Sequence, residues 1–145
     1  MMRGGSNVSD AQLQQILENI PRIINDPRAA ELLVTQANEL GERLAKEVGM
    51  AQIRDIFDEL SLIADLFTWK HEPVLALRRL YLLRPKVLWR AARNKKLMPL
   101  ARVLEKAVDE VVKAETDEER HERFRRLMEF MEAIVAYHKF YGGGD

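Results

Sequence analysis

Arg79, Lys86, Arg90 and Arg93 are the residues whose type and spacing let them act together. At about 100° per residue, the last three fall within roughly 40° of Arg79 on a helix, a stripe about three turns long. Lys95 and Lys96 continue it beyond Arg93, while Arg78 and Arg84 point elsewhere. The chemistry open to such a stripe is neutralisation of phosphate. Cations replace counterions along a polyanion, and affinity falls steeply with salt. Contacts of this kind position a strand without reading its sequence. No acidic residue lies between Pro73 and Leu104, so the stripe has no i, i+4 partner on its own helix. Clustered like charge destabilises a fold unless something supplies the anions. The plainer alternatives are a solvated basic face with acidic neighbours, or a face that docks an acidic protein.

Catalytic constellations are sparse. There is no His-Glu-x-x-His, no Gly-rich phosphate loop and no Gly-x-Ser-x-Gly. One Glu-x-x-His pair exists, Glu118 to His121, but a di-iron site in a helical bundle needs two such pairs and two further glutamates. No metal or other cofactor is therefore expected. His71 and His121 flank helix starts. His138 has no serine or cysteine beside it and no carboxylate to orient it, so it reads as a hydrogen-bonded packing residue. The chain is not expected to be an enzyme. With no cysteine, disulfides and thiolate metal sites are excluded.

The elements that must position the stripe read as helices throughout, with no alternating or β-branched run that would make a strand. Asp10 caps a short helix bearing Leu13, Ile16, Leu17 and Ile20, ended by Pro21. Asp26-Pro27 reads as the N-cap and first residue of a second helix reaching Val48, with Gly49 as its C-terminal cap. A third covers about residues 50–68, with Ile53, Ile56, Phe57, Leu60, Ile63, Ala64 and Phe67 inward. Pro73 opens a fourth, toward Ala92, which Pro85 should kink or break. A turn at Asn94-Lys95-Lys96 leads to a fifth from Pro99, with Leu100, Val103, Leu104, Ala107, Val108 and Val111 inward. Thr116-x-x-Glu119 is a capping box that opens the last helix, 117–140. The expected fold is all-α: a compact bundle of about five helices plus a short N-terminal one.

With 145 residues, one domain is the simplest organisation, here 10–141. Residues 1–9 read as a disordered lead or expression scar, and 142–145 as a flexible tail. No apolar run approaches a membrane span, and no signal peptide is expected at the start. A cytoplasmic protein fits these features. Formal net charge is zero, yet the charge is sorted. Residues 73–106 carry ten basic groups against one acidic, whereas 1–72 carry seven against twelve and 107–145 six against ten. A basic third between two acidic thirds suggests one surface for an anionic partner and others for basic protein neighbours.

The last helix is apolar on two faces, with 127, 131, 134 and 138 on one and 130, 133, 137 and 141 on the other. Such a helix is either central to the core or docks on a partner. Tyr137, His138, Phe140 and Tyr141 are read as core or subunit contact, ahead of stacking on nucleobases. Trp69 and Trp89 flank apolar residues and are likewise expected to pack, although either would suit a base.

Three segments carry a family resemblance. The tail, Phe130-Met-Glu-Ala-Ile-Val-Ala-Tyr-His-Lys-Phe-Tyr-Gly-Gly143, resembles the C-terminal signature of the small, all-helical subunit of the type III-A CRISPR–Csm interference complex. Leu82-Leu-Arg-Pro-Lys-Val-Leu-Trp-Arg-Ala-Ala-Arg93 and Gln52-Ile-Arg-Asp-Ile-Phe-Asp-Glu59 resemble two further stretches of that family, in the same order. The match spans roughly residues 38–143 and contains no catalytic motif. Where the family places a hydroxyl cap before the third helix, this chain has Met50 and Ala51. The resemblance implies a non-catalytic subunit that holds RNA (target, with or without guide) by its backbone. It also implies stacking head to tail, or pairing, with its own copies and assembly with other Csm subunits, in antiviral defence. It implies RNA contacts at Arg79, Lys86, Arg90, Arg93, Lys95 and Lys96. Gln52 and Arg54 join them from the first turn of the third helix, which favours anions. A helical adaptor for an acidic protein partner is the alternative.

Overall fold

Apolar residues three and four apart produce six helices among residues 3–144, the part that the computed structural model describes, with side chains from Ala11 onward. They are α1 (Arg3–Asn25), α2 (Ala30–Ala45), α3 (Met50–Thr68), α4 (Pro73–Arg93), α5 (Met98–Val112) and α6 (Asp117–Phe140), with a 3₁₀ turn at Lys95–Leu97. No strand occurs among the described residues. Met1, Met2 and Asp145, from the expected end segments, lie outside the described residues.

The inward faces form one continuous core. Helix α6 packs against α1, α2, α3 and α5, which accounts for its two apolar faces: Phe124, Leu127, Phe130, Met131, Ile134 and His138 are all buried. Gly41 lets α2 approach α6 closely, since a Cβ there would lie 2.6 Å from that of Tyr137. Helix α4 is peripheral, seated on α3 and α5 through Ala76, Leu80, Leu83, Val87 and Ala91. Three arginines of α6 serve its neighbours' ends. Arg126 Nε donates to the Ile24 carbonyl at 2.6 Å, Arg123 to Glu110 O at 2.7 Å and Arg120 to Ala114 O at 2.8 Å. These satisfy carbonyls that the ends of α1 and α5 leave without helical partners.

Packing overrides several local signals. Pro21 does not end α1, because Ile20, Ile23 and Ile24 on either side of it are buried, and the helix continues to Asn25. That helix also begins at Arg3 rather than near Asp10. Pro85 likewise leaves α4 unbroken, with Leu83 and Val87 buried around it. Asp26 does not cap α2. Its carboxylate accepts from the Arg28 N–H at 2.9 Å within a turn, and α2 starts at Ala30. That hydrogen bond holds the Asp26 carboxyl below its ordinary pKa. Gly49 caps the start of α3 rather than the end of α2. The capping box is half formed. Thr116 Oγ1 accepts from the Glu119 N–H at 3.1 Å, while the Glu119 carboxylate turns to Arg123 and Arg126.

The terminal glycines are structural, not a passive end. Gly142 takes φ +90°, and its N–H donates to Lys139 O while that of Gly143 donates to His138 O at 2.8 Å. This is a Schellman closure of α6. Gly143 lies so close to the His138 ring that a Cβ would overlap it. The chain then delivers the Gly144 carbonyl to the Met50 N–H at 2.6 Å. That bond supplies the start of α3 with the acceptor that Met50 and Ala51 lack. His138 Nε2–H donates to Val48 O at 2.6 Å, so ring, tail and the α2–α3 connection close together.

Candidate nucleic-acid interface

Because Pro85 does not break α4, Arg79 stays in register with Lys86, Arg90 and Arg93, and the stripe runs unbroken along this peripheral helix. Arg79 and Lys86 line one small cavity with Glu59, Leu62 and Lys70. Lys70 thus extends the basic surface from the α3–α4 connection, an addition that the helical spacing of α4 did not reveal.

The stripe does have acidic neighbours, contributed by α3. Lys86 Nζ lies 3.5 Å from Glu59, and Arg90 lies 3.6 Å from Asp55 and 3.9 Å from Glu59. The lack of an acidic residue on α4 itself therefore did not mean the lack of a partner. Pairs this exposed are weak and are screened by salt, so they hold the side chains without consuming them. Arg78, Arg79, Lys95 and Lys96 are exposed and have no ionic or hydrogen-bonded side-chain partner among the described residues. Arg84 belongs to the fold instead, paired with Asp109 of α5 at 3.0 Å.

Asn94 fixes the turn that carries Lys95 and Lys96. Its Oδ1 accepts from the Lys96 N–H, and its Nδ2 donates to Gln52 Oε1 at 3.0 Å. Gln52 thereby ties the lysine turn to the start of α3. Arg54 is not brought to this cluster. It is exposed, about 140° around α3 from Glu59.

The aromatic residues divide. His138 is in the core and Tyr137 is half-buried, but Phe140 is 76 % exposed, packed edge-on against Tyr141. Tyr141 O–H donates to Asn38 Oδ1 at 2.6 Å, linking the end of α6 to α2. Both tryptophans depart from the packing expectation: Trp69 is 78 % and Trp89 61 % exposed. The Arg93 guanidinium lies 4.9 Å from the centre of the Trp89 ring. His121 stacks on Phe67 at 5.2 Å and reaches Thr68 Oγ1. Among the described residues, no group of three His, Cys, Asp or Glu is placed to hold a metal ion, and no helix is long and apolar enough to cross a membrane.

Fold and surface together define an all-α protein with one basic face. Over residues 27–144 the sequence matches the family model described as Csm2 Type III-A, and the chain belongs to that family, the small subunit of type III-A CRISPR–Csm complexes. No curated protein and no solved structure matches it.

Proposed function

We propose that the chain holds RNA by its phosphate backbone along α4 and the following turn, as a non-catalytic cytoplasmic subunit of a Csm antiviral complex. The observation that carries this reading is the row from Arg79 to Arg93 along peripheral α4, continued by Lys95 and Lys96 in the turn after it, with Arg79, Lys95 and Lys96 unpaired among the described residues. The residues assigned to the strand are Arg79, Lys86, Arg90, Arg93, Lys95 and Lys96. Lys86 and Arg90 exchange weak carboxylate partners for phosphate. Arg54 is at most a contact to a separate stretch of RNA. The reading requires no sequence preference, because phosphate contacts position without specifying. Phe140 and the exposed Val34 give apolar surface for a neighbouring copy or another Csm subunit.

The test is titration of the purified chain with unrelated single-stranded RNAs of about 40 nucleotides, from low to physiological salt. Binding independent of sequence with a steep salt slope supports the reading. Failure to bind at low salt, both alone and after assembly with the other Csm subunits, overturns it in favour of an adaptor for an acidic protein.

A further inference from the structure

Trp89 is the residue of α4 that backbone holding leaves without a role. An indole 61 % exposed one turn before the end of a helix contributes little to the fold. It forms the common wall of two open grooves. One, of about 510 Å³, is lined by Leu82, Pro85, Lys86, Arg90 and Glu59; the other, of about 440 Å³, by Gln52, Asp55, Arg90, Arg93 and Asn94. Helical side chains lean toward the N-terminus. Arg93 therefore covers Trp89 from one turn above, and Trp89 reaches over the turn of Pro85. The pyrrolidine ring sends no long side chain into the space between. The result is a slot with an indole wall, a rim of Leu82 and Pro85, and the cations Lys86 and Arg90 alongside it.

We infer that this slot takes an unpaired nucleobase of the bound RNA, stacked on Trp89, while the neighbouring phosphates meet Lys86 and Arg90. The idea rests on the backbone-holding reading and adds to it a base contact that tolerates any sequence, since every base has a π-face. Charge selects this occupant over an apolar protein segment. The slot sits within the basic stripe, and Arg93, Lys95 and Lys96 extend it in one direction while Arg79 extends it in the other. An apolar peptide would leave those cations unanswered, whereas a nucleotide supplies a flat ring and an anion together.

The experiment compares a single-stranded RNA with an abasic ribose-phosphate oligomer of equal length, for the wild type, Trp89→Ala and Trp89→Phe. Indole emission is followed in a Trp69→Phe background. Trp89 is exposed, so its variants keep the fold, which circular dichroism verifies. The wild type should bind the base-bearing strand about 5- to 150-fold tighter than the abasic one, the range for one base stacked on an aromatic ring. Trp89→Ala should erase that difference without altering the salt slope or abasic binding, and Trp89→Phe should keep most of it. Emission of Trp89 should be quenched by the base-bearing strand alone. Salt-dependent RNA binding that is unchanged in Trp89→Ala, with no quenching, would overturn base stacking while leaving backbone holding intact, and would give the slot to an acidic protein partner. Absence of any RNA binding, alone and in the assembled complex, would sink both.

Discussion

Glu59→Gln should strengthen RNA binding. Glu59 is the carboxylate shared by Lys86 at 3.5 Å and Arg90 at 3.9 Å, and its side chain is only about a quarter exposed. Partly exposed pairs of this kind contribute about 0–1 kcal/mol. The isosteric amide should therefore lower the melting temperature by no more than roughly 4 °C in a domain of this size. For RNA the substitution acts in the other direction. A carboxylate about 8 Å from a phosphate repels it by roughly 0.5 kcal/mol in water. Releasing Lys86 from its carboxylate, and Arg90 from the longer of its two pairs while Asp55 stays at 3.6 Å, adds roughly 0.5–1 kcal/mol. Together these predict about five- to tenfold tighter binding at low salt, since 1.4 kcal/mol is a factor of ten. The salt slope should steepen by about 0.7, the value for one further neutralised charge on a single strand. Fluorescence anisotropy with a labelled RNA at several salt concentrations measures both. Asp109→Asn is the control: it makes the same change in net charge but frees Arg84, which lies off the stripe, and should alter affinity less than about twofold. Unchanged or weaker binding by a normally folded Glu59→Gln, or an equal gain from Asp109→Asn, would show that Lys86 and Arg90 do not lie on the RNA path.

Removing Lys95 and Lys96 together by alanine should lower the salt slope by about 1.4 and cost more affinity than Lys86→Ala, because these two lysines have no carboxylate to give up; the same titration checks this. Gly143→Ala should displace the tail from His138 and break its bond to His138 O and that of Gly144 O to Met50, a loss of about 1–3 kcal/mol at 0.5–1.5 each. Gly144→Ala, with open space around it, should be neutral, and a thermal melt separates the two. Asp26→Asn should flatten the acid limb of the stability curve. The carboxyl is held below 3.8 by the Arg28 N–H, so its contribution is fully present above that value and fades as pH falls through the lower folded pKa. Denaturant melts between pH 5 and about 2 follow it.

What could be read from the sequence is what short-range chemistry determines. The inward faces of α3 and α5 follow from apolar spacing alone, and the start of α6 from Thr116 and the acidic turn after it. Proline misleads because its cost is local, while burial on both sides repays it. Ile20 and Ile23 hold α1 together around Pro21, and Leu83 and Val87 do so for α4 around Pro85. The cations were legible as a stripe, but their partners Asp55 and Glu59 come from another helix, at a distance no helical period encodes. The tail was opaque for the same reason. Nothing local connects Gly144 with Met50, although the missing cap at Met50 was a visible vacancy waiting for an acceptor.

The same long-range view explains how a chain of zero formal charge presents a basic face. Arginine occurs in quantity on both α4 and α6, although acidic residues accompany only the α6 set along the sequence. In α6 the guanidinium groups of Arg120, Arg123 and Arg126 meet carbonyls that α1 and α5 would otherwise leave unsatisfied, so their charge is turned inward to the fold. Among the described residues the stripe of α4, at the edge of the bundle, bonds no such carbonyl, and the weak carboxylates of α3 are what answer Lys86 and Arg90. Position in the bundle, rather than the number of cations, decides which arginines remain available to a phosphate. Arg120, Arg123 and Arg126 should therefore fail as RNA contacts even though they equal in number the three arginines of the stripe. Arg123→Ala should lower stability with little change in salt slope, and Arg79→Ala the reverse.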